Sequence, residues 1–160
     1  MISRQILTAL AWAVLAWAQV GGGRAPAFAI TTDQGRQMTP SNFGGKLLVV
    51  NFWETACVPC VQELPSLADF ARKFGPDGVV VLAISGDEDE GKYRAFLRAH
   101  HVALESYRDP SRHVARSFGT EMYPESYVIA GGRIVRKVVG GIDWGNTDMT
   151  AFVRARLGVK

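Results

Sequence analysis

Leu47-Leu-Val-Val-Asn-Phe-Trp53 is followed, after Glu54-Thr-Ala56, by Cys57-Val-Pro-Cys60. The first stretch is apolar except at Asn51 and has the length of a strand, which marks a strand buried on both faces. Beyond it, Val58 to Phe74 reads as a helix, with Val61, Leu64, Leu67, Ala68, Ala71 and Phe74 on one apolar stripe. Cys57 therefore stands where a buried strand hands over to a helix. Unpaired N–H groups and the helix dipole favour a thiolate there. Cys60 lies one turn further in, close enough to close a disulfide or to resolve a mixed one. Pro59 fits because its missing N–H belongs to the first turn, where that donor is unused. A nucleophile outside and a resolving thiol behind it are what thiol–disulfide exchange requires.

Working outward, Val79 to Ile84 is a second buried strand, set off from the helix by Gly75-Pro-Asp-Gly78. Asp89 to His100 reads as a helix buried through Tyr93, Phe96 and Leu97, and Val102 to Tyr107 as a short strand. Ser111 to Phe118 reads as a helix capped by Ser111 and ended by Gly119. Ser126 to Ile129 and Ile134 to Val139 form a hairpin over Gly131-Gly132. A last helix covers residues 147–157, with Phe152, Val153 and Leu157 inward. Before the central strand, Phe28 to Thr31 and Gln37 to Thr39 read as a small hairpin. Strands alternating with helices, closed by a hairpin and a helix, predict an α/β sandwich around a mixed sheet. The acidic run Gly86 to Gly91 reads as a solvated turn with acids at a helix N-terminus. Its spacing misses the EF-hand loop, which argues against calcium.

The 160 residues suffice for one domain and one core, and 48% hydrophobic with 21% charged residues excludes a disordered chain. The net charge of +3 is scattered, with no aromatic-basic pattern, so nucleic acid is not an expected partner. Two cysteines rule out a disulfide-stapled mini-fold and a four-cysteine zinc site. His100, His101 and His113 lack finger spacing and belong on surface helices, so no metal is expected. As a mere staple, a 57–60 bridge would close a very short loop, where cross-links stabilise least.

Arg4, the apolar run Ile6 to Val20 and Ala16-Trp-Ala18 read as a secretory signal over residues 1–18. The run is shorter than the ~20 residues that cross a bilayer, and the competing reading is an uncleaved anchor. Residues 19–26 read as a Gly/Pro/Ala linker, and 27–160 as the domain. The chain is then exported, periplasmic or otherwise extracytoplasmic, and its cysteines work where disulfides persist.

Val50-Asn-Phe-Trp-Glu-Thr-Ala-Cys-Val-Pro-Cys60 with Glu63-Leu-Pro65 resembles the active-site segment of thioredoxin-fold proteins. It is most similar to the exported TlpA/ResA-like thiol–disulfide oxidoreductases, whose pattern is NFWxxWCxPCxxExP. Phe118-Gly-Thr-Glu-Met-Tyr-Pro124 followed by Ser126-Tyr-Val-Ile129 resembles the segment that carries the family's cis-proline. The resemblance implies a thioredoxin-like fold with an N-terminal hairpin extension and no cofactor beyond a redox-active Cys57–Cys60 disulfide. Cys57 matches the attacking thiol, Cys60 the resolving thiol and Pro124 the cis-proline. Tyr123 would offer its backbone to a substrate strand, while Trp53 and Pro59 flank the motif as substrate-side residues. Glu63 matches an acidic residue near the cysteines. One helical turn beyond Cys60 and partly covered by the preceding hairpin, it is placed to handle a proton. Two departures stand out. Ala56 replaces the family's Trp, and Asn51 stands where cytoplasmic thioredoxins carry a buried Asp.

The implied activity is reduction of disulfides in exported proteins, such as apocytochrome c during its maturation, by a monomer fed from a membrane thiol reductase. Two alternatives share the fold. A thiol peroxidase needs Thr three residues before its reactive cysteine, and position 54 is Glu. A copper metallochaperone spaces its cysteines one residue wider and adds a His.

Overall fold

The computed structural model describes residues 22–159. The expected signal or anchor, residues 1–18, lies outside them. Among the described residues no helix is long and apolar enough to cross a membrane.

The strands are β1 (Ile30–Thr31), β2 (Gln37–Met38), β3 (Leu47–Trp53), β4 (Val79–Ser85), β5 (Glu105–Arg108), β6 (Glu125–Ala130) and β7 (Arg133–Val139). The helices are α1 (Val58–Phe74), α2 (Glu90–Ala99), α3 (His113–Ser117) and α4 (Thr147–Leu157). β1 and β2 form the small hairpin, and the other strands form one sheet in the order β5-β4-β3-β6-β7. β3 runs parallel to β4, with Leu47 opposite Val79 and Trp53 opposite Ser85, and antiparallel to β6, with Phe52 opposite Glu125. β3 is buried along its whole length, as its unbroken apolar run requires.

Because side chains alternate along a strand, β3 feeds two cores. Leu47, Val49 and Trp53 face α1, α2 and α4, where Leu64, Leu67, Phe70, Tyr93, Trp144 and Val153 close the layer. Leu48, Val50 and Phe52 face the hairpin and α3, packing with Phe28, Met38, Phe118 and Tyr127. Thus the hairpin extension covers the second face of the sheet.

Several boundaries differ from the sequence reading. Residues 22–26 are not a bare linker. Arg24 bridges Arg133, the Ala25 N–H donates to Gly132 O, and Ile134 N–H donates to Gly23 O. The free edge of β7 offers unpaired backbone groups, and this segment satisfies them. β5 begins at Glu105 instead of Val102, because the chain first leaves α2 through His101 in a left-handed conformation. α3 is capped by Asp109 rather than Ser111: Asp109 Oδ2 accepts from Val114 N at 2.8 Å, and Ser111 Oγ donates to Asp109 Oδ1. A carboxylate just after β5, at the start of the turn, reaches the helix N–H groups, and the serine only steadies it.

Candidate active site

The C-terminal end of β3 delivers the chain to Cys57, the N-cap of α1, at φ −90° and ψ 104°. Its carbonyl accepts from Val61 N, and its own N–H donates to Glu54 O at 3.2 Å. Cys57 and Cys60 are joined by a disulfide with Cα atoms 5.2 Å apart. Cys60 N–H points at Cys57 Sγ, 3.3 Å away, so one of the free donors of the helix end is aimed at the outer sulfur. Cys57 is half-buried, whereas Cys60 is 1% exposed. Their places on the first turn of α1 leave Cys57 as the outer residue of the pair and Cys60 as the inner one.

Glu63 is 4% exposed, a buried carboxylate on the same helix. Its Oε1 accepts from Asn51 Nδ2 at 2.7 Å and its Oε2 from Ile142 N at 2.9 Å. Asn51 also donates to Ser126 Oγ at 2.9 Å, so β6, β3, α1 and the loop after β7 share one buried polar chain. Burial pushes the Glu63 carboxyl up from its usual range, and the Ile142 N–H, the Trp144 indole and the Asn51 amide oppose that shift. The cover over Glu63 is not the N-terminal hairpin. It is the loop from Gly140 to Trp144, drawn onto α1 by its bonds to Glu63 and Ser66. Gly141 permits that approach: a Cβ there would lie 2.9 Å from Pro59 O. Between this loop and α1 lies a cavity of ≈ 480 Å³ lined by Pro59, Gln62, Glu63, Ser66 and Ile142.

The Tyr123–Pro124 bond is cis, and Tyr123 is half-buried beside a buried Pro124. Pro59 is exposed on the first turn of α1, and Ala56 is exposed just before Cys57. Trp53 departs from its expected substrate-side position. It is fully buried against Tyr93 and Phe96, with ring centroids 6.3 and 5.4 Å away. As the last inward residue of β3 it points into the α1–α2 core, so it supports the site from beneath.

Sequence reasoning missed Asp87. Its carboxylate accepts from Thr55 N, from Thr55 Oγ1 at 2.6 Å and from Ser85 Oγ at 2.6 Å. Arg108 Nη1 in turn donates to the carbonyls of Asp87 and Glu88. The acidic run therefore pins the loop that presents Cys57, while Asp89 caps α2 by accepting from Lys92 N. Only the helix-capping half of that pattern is visible in the sequence; the reach of Asp87 across to Thr55 depends on β3 and β4 being neighbours.

A disulfide on the first turn of the helix that leaves the central strand, with a cis-proline just ahead of the neighbouring strand β6, defines a thioredoxin-like protein with a thiol–disulfide centre. The family model of the AhpC/TSA family matches residues 22–138, and the chain belongs to that family. It is 28% identical over 120 residues to the thiol-disulfide oxidoreductase ResA of Bacillus subtilis, covering 74% of this chain and 67% of that protein. The ResA of Bacillus thuringiensis subsp. konkukian is 27% identical over 120 residues, covering 74% and 69%. A crystal structure from Chlorobium tepidum, described as a thiol:disulfide interchange protein DsbE, superposes with a TM-score of 0.75 at 27% identity. That match covers 86% of this chain and 97% of the other. StoA from Bacillus subtilis shares the fold, with a TM-score of 0.67 at 20% identity over 76% of this chain and 93% of its own. The protein is a thiol–disulfide oxidoreductase.

Proposed function

We propose that the protein works as a reductant of disulfides in exported proteins, with Cys57 as nucleophile and Cys60 as resolving thiol. In the reduced protein, Cys57 thiolate attacks one sulfur of a substrate disulfide. This forms a mixed disulfide and expels the other substrate sulfur as a thiolate, which takes up a proton. Cys60 then loses its proton and its sulfur attacks Cys57 Sγ, closing the 57–60 disulfide and releasing the second substrate thiol. Two electrons pass from the cysteine pair to the substrate. Its two sulfurs leave as thiolates and take up the proton given up by Cys60 and one from solvent, which had received the proton of Cys57. Glu63 is the proton acceptor for Cys60 in this reading, and Asn51 and Ile142 hold its carboxylate in place. Tyr123, ahead of the cis-proline, offers backbone groups to the substrate strand, and the exposed Pro59 borders the same surface.

The observation that carries the proposal is the asymmetry of the pair: a half-buried sulfur at a helix end and a buried one behind it. Neither Val58 nor Pro59 adds a positive charge that would hold the thiolate strongly, which favours a reducing pair. Export places the working end outside the cytoplasm, and a membrane thiol reductase would return the electrons. Apocytochrome c is the substrate class that the resemblance to ResA-like proteins supports.

The test is the reduction potential, read by equilibrating the protein with thiol–disulfide buffers. The expected value lies nearer that of thioredoxin, about −270 mV, than that of the oxidant DsbA, about −120 mV. A value at the oxidising end would reverse the assigned direction. In parallel, Cys60→Ser is expected to accumulate a mixed disulfide through Cys57, whereas Cys57→Ser is not. Trapping through Cys60 instead would reverse the roles of the two thiols.

A further inference from the structure

Glu54, Gly86, Arg112 and Tyr123 come from four different connections, yet all four sit at the sheet edge that carries Cys57. Glu54 follows β3, Gly86 follows β4, Arg112 follows β5, and Tyr123 precedes β6, whose start lies opposite the end of β3. In open α/β sheets, ligands bind at this edge, outside the carboxyl ends of the parallel strands. Arg112 Nη2 lies 2.7 Å from Glu54 Oε1. A Cβ on Gly86 would lie 2.7 Å from Glu54 Oε1, 3.0 Å from the Tyr123 hydroxyl and 3.2 Å from Arg112 Nε. The absence of a side chain at position 86 lets three polar groups close together there.

Arg112 is also in the left-handed conformation, at φ 54° and ψ 28°, on the threshold of α3. A non-glycine residue held there stores strain that the surroundings must sustain, and such residues cluster at functional sites. Beside this cluster lies a cavity of ≈ 310 Å³, lined by Glu54, Arg112, Arg116, Thr120, Glu121 and Tyr123. Glu54 is largely covered and is already engaged by Arg112, which remains half-exposed. The wall carries two guanidinium groups, of which Arg116 also donates to Ser111 O, the hydroxyls of Thr120 and Tyr123, and two carboxylates, Glu54 held by Arg112 and the exposed Glu121. Burial, reinforced by the Glu54 charge, pushes the Tyr123 hydroxyl up from its usual range and keeps it a donor.

We propose that this pocket is a specificity subsite that takes a carboxylate of the disulfide-bearing peptide, with Arg112 as the recognition residue. The proposal rests on the oxidoreductase reading and adds a substrate class to it. The carboxylate could be an acidic side chain next to the target cysteine or a chain terminus; the chemistry is the same. Its entry would draw the Arg112 fork from Glu54 towards the ligand, a planar match that lysine does not reproduce.

The reduced full chain is mixed with three small disulfides: glutathione disulfide, which bears carboxylates; hydroxyethyl disulfide, which is uncharged; and cystamine, which is cationic. Reoxidation rates are followed at low and high salt. Arg112→Gln is expected to slow glutathione disulfide about threefold to fivefold more than hydroxyethyl disulfide, the range for a partly exposed ion pair. Salt should narrow the wild-type preference for glutathione disulfide over cystamine. Equal slowing of all three disulfides by Arg112→Gln would mean that Arg112 only supports the fold, and would overturn the proposal. Should that variant fail to fold, Arg112→Lys and Glu54→Gln replace it. The first should weaken the glutathione preference and the second should raise it, and an unchanged ratio in both overturns the proposal. A wild-type protein inert towards hydroxyethyl disulfide would instead refute the oxidoreductase reading.

Discussion

Asp87 and Glu63 are both carboxylates beside the redox pair, but their surroundings give them different work. Asp87 is surrounded by donors from Thr55 and Ser85. Asp87→Ala leaves the Thr55 N–H and hydroxyl without their acceptor, at a cost of about 1–3 kcal/mol. It should also change the pH profile of Cys57 alkylation, because the loop presenting Cys57 is no longer pinned. Asp87→Asn keeps one accepting oxygen and should recover part of both effects. Equal denaturation midpoints and identical alkylation profiles for wild type and Asp87→Ala would remove Asp87 from the site. Glu63 is governed by burial instead, which raises its carboxyl in the folded state. For such a group the stabilising contribution is complete below the ordinary glutamate pKa and is lost as pH rises through the folded value. Glu63→Gln does not titrate. Its stability relative to wild type, from urea unfolding at each pH, should therefore improve as pH is raised from the acidic side towards neutrality. The variant should also simplify the pH profile of Cys57 alkylation and slow the resolving step. A stability difference that does not change with pH, together with an unchanged reductase rate, would return Glu63 to a purely structural role.

Among the elements, the short helix α3 shows where sequence reasoning stops. Asp109→Ala should cost about 1–2 kcal/mol in urea denaturation by uncapping α3, while Ser111→Ala should cost much less. The reverse order would restore the serine cap that the local sequence indicates. Ser111 has the right residue type and spacing, but the left-handed turn at Arg112 brings Asp109 to the helix N–H groups first. In contrast, α1 and α4 have the bounds that their sequences predict. Each carries clear signals at its ends: Cys57 and Pro59 open α1, and Gly158 closes α4. The inner faces were less legible. Phe70 falls outside the six-residue stripe of α1, and Trp144 lies in a loop, yet they pack together with centroids 5.2 Å apart. Asn51 is a polar break in an apolar run; only the fold shows that it spends its amide on Glu63 and Ser126. The redox pair itself was legible because its chemistry is local to four residues. The Glu54–Arg112 pairing was not, because it joins residues far apart in sequence at one sheet edge.

At the scale of the molecule, two cores enclose the sheet, and the disulfide sits at the C-terminal end of its central strand β3, with Cys60 set into the first core. Two opposing effects then decide the direction of electron flow. The folded chain holds the two cysteines with Cα atoms 5.2 Å apart, so closing the disulfide costs little ordering. The unfolded chain must close the loop itself, and for so short a loop the chain-entropy relation gives about 2 kcal/mol in favour of the oxidised fold. Against this, the helix end stabilises the thiolate of the half-buried Cys57 in the reduced fold by about 1 kcal/mol, between the surface range of about 0.3–1 and the ~2 kcal/mol of favourable partly buried sites. Loop closure outweighs the thiolate, so the oxidised protein should be the more stable form. By the thermodynamic cycle, a fold that prefers its disulfide makes that pair more reducing than the same cysteines in the unfolded chain. A net preference of about 1.4 kcal/mol corresponds to ~30 mV. Urea unfolding of the oxidised protein and of the protein kept reduced, at neutral pH, measures that difference directly. The oxidised form is expected to be more stable by about 1–2 kcal/mol. If the reduced form proves the more stable, thiolate stabilisation exceeds loop closure, and the pair would be poised to oxidise its partners.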